Sequence, residues 1–230
     1  MAKEKTKVDS AFDKVDFLYA KGAIVNLNKN PRFPEKVLTG RPSIDWVTDG
    51  GVPRGREILI AGEPSAGKSS LTIQIAQEIG EKILYADTEA TLTTDYILSL
   101  GADPAKFDHF IPETTELMCD VIRQQIPNYD VIIVDSINNS ASGEQLQKTA
   151  GEKTMANRAN VLSSQLPILI GLANQYNTTL IILSQVRDNM DKANKYSPVT
   201  VVPGGRSLHH NSSFSLDVFK STKKEKYEKG

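Results

Sequence analysis

At 230 residues, the chain has room for one α/β domain of ordinary size, with or without a short appendage. Hydrophobic residues make up 39% of it and charged residues 24%, which excludes a disordered chain. Its 27 basic residues nearly balance its 28 acidic ones, so a uniformly basic nucleic-acid-binding surface is excluded, while a local basic patch is not. The single cysteine, Cys119, excludes an internal disulfide framework and a multi-cysteine zinc site.

No segment has the composition of a membrane span or of a secretion signal. The longest nearly apolar run, residues 166–173, is far shorter than the roughly 20 residues that cross a bilayer. The chain starts with MAKEKTKVDS, which lacks the apolar core of a signal peptide. We therefore expect a soluble intracellular protein without a membrane partner.

The N-terminal segment differs from the rest of the chain. Phe12, Val15 and Tyr19 fall at positions i, i+3 and i+7, the spacing of one helical stripe, and an Asn-Pro pair then interrupts the pattern. We predict a short N-terminal helical arm within residues 1–37. Its spacing leaves open whether the arm packs on the main domain or docks on a neighbouring subunit.

From residue 57 onward, strand patterns and helix patterns alternate. Residues 131–134 and 180–183 are β-branched or leucine-rich runs of the kind that is buried on both faces of a sheet. Such alternation predicts an α/β fold with a mostly parallel β-sheet flanked by helices. The predicted strands are 57–61, 82–86, 109–111, 131–134, 180–183 and 214–219, and helices are predicted around 71–79, at 93–100 and from about 115.

A phosphate-binding loop follows the first of these strands. The segment GEPSAGKS at 62–69 matches the pattern G-x-x-x-x-G-K-[ST] in full, and the strand before it and the helix after it disfavour an incidental turn. Its glycines let backbone N–H groups turn around phosphate oxygens, and the following helix presents its positive end. Lys68 is expected to reach the β- and γ-phosphates, and the Ser69 hydroxyl to ligate Mg²⁺. The predicted nucleotide-binding residues here are Gly62, Glu63, Pro64, Ser65, Ala66, Gly67, Lys68, Ser69 and Ser70.

Further polar positions lie at the ends of predicted strands. Asp87 and Glu89 follow the second strand, where a carboxylate could polarise a water against the γ-phosphate, although such pairs are also common in solvated loops and helix caps. Asp135 ends a run of four apolar residues, the Walker B form that holds Mg²⁺ directly or through water. Gln185 ends another buried strand and could hydrogen-bond the γ-phosphate, or simply terminate that strand.

Two long polar segments, at about 139–160 and 187–210, also follow strand ends. Loops of more than about 12–15 residues without structure of their own are usually functional or disordered. Cations interleaved with an aromatic side chain suit a single nucleic-acid strand, because phosphate attraction and base stacking act together. The alternative is a solvated lid, because Asp188 and Asp191 reduce the net positive charge of the second segment. The residues of this character in the second segment are Arg187, Lys192, Lys195, Tyr196 and Arg206.

Together these motifs resemble those of the RecA-type homologous recombinases. The resemblance covers residues 38–219 and looks like that of a divergent or phage-borne relative. The segments that carry it are LTGRPSID at 38–45, GGVPRG at 50–55, the phosphate loop, Asp87-Thr-Glu89, Val134-Asp135-Ser136, Ser184-Gln185-Val-Arg187 and Gly204-Gly205. It implies a RecA-like P-loop ATPase core at 38–219 between the arm at 1–37 and a charged tail at 220–230. Because the family normally continues with further strands and a C-terminal domain, we expect a C-terminally short member.

The resemblance also implies a role for each matching position. Glu89 corresponds to the carboxylate that activates water, Tyr96 to the aromatic residue that stacks on adenine, and Asp135 to the Walker B acid. Lys68 corresponds to the lysine that stabilises the transferring phosphoryl group, and Gln185 to the switch that couples the γ-phosphate to the loop after it. The two long segments take the places of the family's DNA-binding loops. Their implied DNA contacts are Met155, Arg158, Arg187, Lys192, Lys195, Tyr196, Gly204, Gly205 and Arg206.

The implied activity is that of a DNA-dependent ATPase that uses ATP and Mg²⁺ and binds single-stranded DNA as a recombinase. Subunits of such a homo-oligomer assemble into a helical nucleoprotein filament, which promotes homologous pairing and strand exchange with duplex DNA in recombination and repair. The expected location is the bacterial cytoplasm, on the nucleoid or in a phage-infected cell. Three other functions stay open: a ring helicase or loader, a non-catalytic ATP-gated filament scaffold or mediator, and a small-molecule P-loop kinase.

Overall fold

The central sheet forms because runs of apolar residues are buried on both of its faces. The computed structural model describes residues 35–138, 155–188, 200–201 and 212–220. The strands in these ranges are β1 (Lys36–Val37), β2 (Val52–Pro53), β3 (Glu57–Gly62), β4 (Ile83–Asp87), β5 (Phe107–Phe110), β6 (Val131–Asp135), β7 (Thr179–Gln185), β8 (Arg187–Asp188), β9 (Thr200–Val201) and β10 (Phe214–Val218). Six of them, in the order β10-β3-β7-β6-β4-β5, make one sheet in which every neighbouring pair is parallel. The predicted mostly parallel α/β sheet is therefore confirmed.

Helices cover both faces of this sheet. The helices in the described ranges are α1 (Pro42–Val47), α2 (Lys68–Ile79), α3 (Thr94–Ser99), α4 (Thr115–Gln125) and α5 (Met155–Tyr176). Successive side chains of a strand point to opposite faces, so Ile60 of β3 belongs to the same core cluster as Ile73 of α2, whereas Leu59 belongs to the cluster of α4 and α5 on the other face. No helix in these ranges is both long and apolar enough to cross a bilayer.

The long helix α5 is the largest departure from the sequence-based expectation. The sequence predicts a loop up to about residue 160, whereas α5 already begins at Met155. The helix forms because Leu162, Leu166 and Leu169 recur at helical spacing and are all buried in the core. That part of the predicted first loop is wrong, and the rest of it, 139–154, lies outside the described residues.

The second predicted loop also contains regular structure. β8 and β9 pair antiparallel, with Arg187 opposite Val201 and Asp188 opposite Thr200. An irregular loop over the whole of 187–210 is therefore wrong at these two strands. Residues 189–199 and 202–210 lie outside the described residues, as do residues 1–34 of the predicted arm and residues 221–230 of the predicted tail, so these assignments stay predictions.

Candidate functional site

The phosphate loop joins β3 to α2 at the carboxyl edge of the sheet. β3 is buried along its whole length and ends at Gly62, where an added Cβ would lie 2.2 Å from the carbonyl oxygen of Val218 on β10. Gly67 ends the loop with a φ of 92°, a left-handed conformation that glycine adopts without strain. α2 begins at the next residue, so its unpaired N–H groups and positive end lie at the loop. The close approach of β10 thus explains why Gly62 is a glycine, and the left-handed backbone conformation explains why Gly67 is one.

Lys68 is held inside the loop by neutral groups. Its Nζ donates to the carbonyl oxygens of Gly62, at 3.1 Å, and Glu63, at 2.8 Å, and the residue is only 7% exposed. Burial lowers the pKa of Lys68, an effect that the carboxylates of Asp135 and Glu89 oppose. Because both hydrogen-bond partners are uncharged, a phosphate entering the loop would be a stronger partner for the ammonium group.

Asp135, at the end of β6, accepts two short hydrogen bonds on one carboxylate oxygen. Ser69 Oγ donates to Oδ2 over 2.6 Å, and Tyr85 Oη donates to the same atom over 2.5 Å. Burial raises the pKa of Asp135, the two hydroxyl groups lower it, and the charges of Glu89 and Asp87 raise it. Burial and the charge of Asp135 raise the pKa of Tyr85 far above its ordinary value, so the phenol stays a neutral donor. Ser69 and Asp135 thereby bring together two oxygen ligands of the kind that Mg²⁺ prefers.

Glu89 and Gln185, predicted as the catalytic base and the phosphate switch, are hydrogen-bonded to each other. Gln185 Nε2 donates to Glu89 Oε1 over 2.9 Å, and Ser136 Oγ donates to the same oxygen over 3.2 Å. Gln185 is the last residue of β7, Ser136 directly follows β6, and Glu89 follows β4. Three strand ends therefore meet at one carboxylate oxygen, as the shared carboxyl edge of a parallel sheet allows.

Asp87 shapes the turn that carries Glu89. Asp87 is 1% exposed, and its carboxylate accepts the backbone N–H groups of Glu89 at 3.1 Å and of Thr91 and Leu92 at 2.8 Å each. Nε2 of His109, on β5, lies 3.2 Å from the same carboxylate. The two acids of the motif are therefore not equivalent, since Asp87 supports the turn and Glu89 lines the cavity described below.

Tyr96 is tied to the helix that follows the phosphate loop. Thr93 caps α3 by accepting the N–H of Tyr96 at 3.2 Å. Tyr96 Oη shares a hydrogen bond of 2.7 Å with Ser70 Oγ on α2. These two contacts hold Tyr96 beside the loop, and its role next to a nucleotide base stays a prediction.

Residues of the phosphate loop, together with Glu89, Tyr96, Asp135 and Gln185, line one cavity of about 320 Å³, a volume within the usual range of small-molecule sites. Gly62, Glu63 and Ala66 were also predicted to bind nucleotide, and they lie in the loop without lining the cavity. The other predicted nucleotide and metal residues all come together there. The lining residues are Pro64, Ser65, Gly67, Lys68, Ser69, Ser70, Glu89, Tyr96, Asp135 and Gln185.

Comparison with known proteins decides the family. The model of the RecA N-terminal domain matches residues 6–229. The chain belongs to the RecA family. Protein RecA of Thermus aquaticus is 30% identical over 225 residues, which cover 95% of this RecA-family chain and 66% of that protein. Protein RecA of Streptomyces avermitilis is 28% identical over 218 residues, which cover 92% of this chain and 57% of that protein, so the chain spans under two thirds of either relative.

A solved structure agrees with the RecA-family fold. The crystal structure of the RadB recombinase superposes with a TM-score of 0.60 and 23% sequence identity, and the match covers 81% of this chain and 84% of that chain. At this identity the likeness concerns the fold alone. The predicted RecA-like fold class is therefore confirmed.

The DNA-contact residues predicted for this RecA-family chain are described only in part. Met155 and Arg158 lie in the first turns of α5, and Arg187 begins β8, two residues after the end of β7. The remaining predicted contacts lie outside the described residues. These are Lys192, Lys195, Tyr196, Gly204, Gly205 and Arg206.

Two residues that shape the site were missed by the sequence analysis. Tyr85 bonds Asp135, and Ser136 bonds Glu89. A signal for Tyr85 was present, because it precedes Asp87 by two residues on one face of β4 and a buried phenol usually finds a hydrogen-bond partner. Ser136 directly follows the Walker B aspartate, and only the fold brings it to Glu89.

The donor set fits a magnesium–nucleotide complex. Lys68 and the start of α2 supply positive charge and N–H donors for phosphates, and Ser69 and Asp135 supply oxygen ligands for the metal. In the described ranges, no group of three or more His, Cys, Asp or Glu side chains could hold a metal ion by itself. With Ser69 and Asp135 as its two protein ligands, Mg²⁺ would take the rest of its coordination from phosphate oxygens and water, as it commonly does.

Proposed function

We propose that this RecA-family chain is an ATP-dependent recombinase that assembles on single-stranded DNA and promotes pairing and strand exchange. The hydrogen bond between Gln185 and Glu89 is the observation that carries the proposal. It links a carboxylate of the nucleotide cavity to the residue that leads into the second predicted DNA loop. Nucleotide binding alone does not require such a link, whereas nucleotide control of DNA binding does.

In this proposal, Lys68 and the first N–H groups of α2 hold the triphosphate. Lys68 exchanges the carbonyl oxygens of Gly62 and Glu63 for phosphate oxygens, and its ammonium group stabilises charge on the transferring phosphoryl group. Ser69 and Asp135 would hold Mg²⁺, which would supply positive charge that offsets the charge of the phosphates. Tyr96 provides a stacking surface for the base.

Glu89 is the proposed general base. Its carboxylate orients a water molecule and accepts a proton from it as the water attacks the γ-phosphorus, the bond to the β,γ-bridging oxygen breaks and ADP leaves. Gln185 and Ser136 donate to Oε1 of Glu89, which holds the carboxylate at the cavity wall. When the Gln185 amide turns to a γ-phosphate, Oε1 loses one donor and gains capacity to bind the attacking water. Sensing of the phosphate and activation of the base are then one event.

Gln185 is also the proposed connection to DNA. A displacement of the Gln185 backbone would be transmitted through Val186 to Arg187, the first predicted DNA contact of the second loop. A γ-phosphate would thereby select the loop conformation that binds DNA, as phosphate sensors do in other nucleotide switches. The cations and Tyr196 of that loop would then contact phosphates and stack on bases, and Met155 and Arg158 would add contacts from the start of α5.

Electron microscopy with single-stranded DNA and a non-hydrolysable ATP analogue tests this function. We expect helical filaments that require both the DNA and the analogue. Closed rings would contradict the recombinase and favour a ring helicase or loader, and isolated particles would favour a scaffold or mediator.

A further inference from the structure

Tyr85 lies in the middle of β4, with its ring in the apolar cluster under α2. The residue is 2% exposed and shares this cluster with Ile60, Ile73 and Ile133. A hydroxyl group in such surroundings is costly unless it is hydrogen-bonded. The placement of the Tyr85 hydroxyl therefore calls for a specific partner, and that partner belongs to the nucleotide site.

The partner is the Walker B carboxylate. A carboxylate can only accept, so the phenol donates its proton to Oδ2 of Asp135, over 2.5 Å. β4 and β6 are in register, with Asp87 opposite Asp135 and Tyr85 opposite Ile133. The donor therefore lies two residue pairs deeper in the sheet than the carboxylate that it serves. Hydrogen bonds of this length to an ionised oxygen are among the stronger ones in proteins.

Ser69 donates to the same oxygen but has a second task. Ser69 lines the cavity, and its hydroxyl oxygen is the predicted ligand of Mg²⁺. Tyr85 is not among the lining residues, and the proton of its hydroxyl is donated to Asp135. Both donors meet Oδ2, and Oδ1 of Asp135 receives no hydrogen bond within the described part of the chain. Oδ1 is thus the oxygen left for a metal ion or a metal-bound water.

We propose that Tyr85 is a positioning residue for Mg²⁺, because its hydroxyl fixes the rotation of the Asp135 carboxylate and leaves Oδ1 for the metal. The inference rests on the proposed function of the cavity as a Mg²⁺–ATP site. Without the phenol, the carboxylate would have to be ordered each time that the metal binds. Loss of a hydrogen bond that orients a metal ligand typically lowers metal affinity by about 10–100-fold.

Tyr85→Phe tests the inference, because it removes the hydroxyl and keeps the ring. The affinity for a non-hydrolysable ATP analogue would be measured by calorimetric titration at a series of Mg²⁺ concentrations. The series would start in excess chelator and end at millimolar Mg²⁺. The Mg²⁺ concentration that gives half of the metal-dependent gain in affinity should rise about 10-fold or more. Affinity for the analogue in chelator should stay at the wild-type value, since no phosphate contact is lost.

Tyr129→Phe is the matched control. Tyr129 also donates its hydroxyl to a carboxylate, that of Asp108 at 2.8 Å, and neither residue lines the cavity. Its Mg²⁺ requirement should equal that of the wild type. An equal requirement in Tyr85→Phe, or an equal loss of affinity with and without Mg²⁺, would overturn the inference.

Two further outcomes separate this inference from the proposed function. A Tyr85→Phe chain that circular dichroism shows to be unfolded would overturn the inference, because the hydroxyl would then serve the fold and not the metal. A wild-type chain that binds no nucleotide at any Mg²⁺ concentration would overturn the proposed function and the inference together. If the wild type shows a Mg²⁺-dependent gain and Tyr85→Phe matches it, only the role of Tyr85 is wrong.

Discussion

Glu57 should make the stability of this chain depend on pH near neutrality. It is the first residue of β3 and is fully buried, and neither of its carboxylate oxygens has a hydrogen-bond partner in the described part of the chain. Burial raises the pKa of Glu57 from its ordinary value of 4.5 to about 7. The folded chain therefore holds this proton over a pH range in which the unfolded chain releases it.

The sign and size of the effect follow from proton linkage. Below pH 4.5 the group is protonated in both states, and its contribution to stability is fully present. As the pH rises through the folded pKa of about 7, that contribution is lost. At about 1.4 kcal/mol for each unit between the two pKa values, the total loss is about 3 kcal/mol, most of which falls between pH 5 and pH 8.

Urea unfolding of the wild type and of Glu57→Gln between pH 5 and pH 8 measures this loss. Glutamine matches the neutral carboxyl group in size and cannot ionise, and every other titrating group is common to both chains. Relative to the wild type, the unfolding free energy of Glu57→Gln should increase by about 2–3 kcal/mol from pH 5 to pH 8. Glu35→Gln, which changes an exposed carboxylate, should shift the unfolding free energy little at any pH. Parallel curves for the wild type and Glu57→Gln would refute the reasoning.

The remaining predictions concern nucleotide and DNA. Lys68→Ala should abolish nucleotide-dependent assembly, as measured by sedimentation. The control Lys106→Ala should assemble normally, because the Lys106 amine donates to a carbonyl outside the cavity. Assembly by Lys68→Ala would argue against the proposed phosphate contact. Glu89→Gln should keep ATP affinity and slow phosphate release by roughly 10²–10⁴-fold, and an unchanged rate would remove Glu89 from the role of base. The affinity for single strands should fall with log salt at a slope of about −0.7 per phosphate neutralised, which titrations at several salt concentrations check. A salt-independent affinity would speak against binding through the backbone phosphates.

The parts of the site that sequence patterns predicted are those encoded locally. The phosphate loop is one contiguous segment, and β6 and β7 are apolar runs that end in Asp135 and Gln185. Parallel strands place such ends at one edge, so the sequence predicted which side chains meet in the cavity. What it did not predict is the Gln185–Glu89 hydrogen bond, because that contact depends on rotamers at the ends of non-neighbouring strands.

Tertiary contacts decided what the sequence left out. α5 contains Pro167, a residue that usually interrupts helices, and its extent follows from packing against α4 and the sheet. The supporting role of Asp87 was likewise hidden, since an acid at a strand end is equally compatible with catalysis. Its three backbone hydrogen bonds become visible only once the turn after β4 is folded. The residue types thus predicted a phosphate- and metal-binding site, whereas the separate roles of Asp87 and Glu89 followed only from the folded structure.

Oligonucleotide affinity with and without nucleotide tests the coupling through Gln185 most directly. Fluorescence anisotropy of a labelled single strand would compare the wild type, Gln185→Ala and the control Gln125→Ala, which removes a half-buried amide that accepts a hydrogen bond from Asn128 and does not line the cavity. The wild type and the control should bind the strand more tightly with Mg²⁺ and a non-hydrolysable ATP analogue, and Gln185→Ala should lose that gain while it keeps its affinity for the analogue. Wild-type affinity that is the same with and without nucleotide would contradict the account.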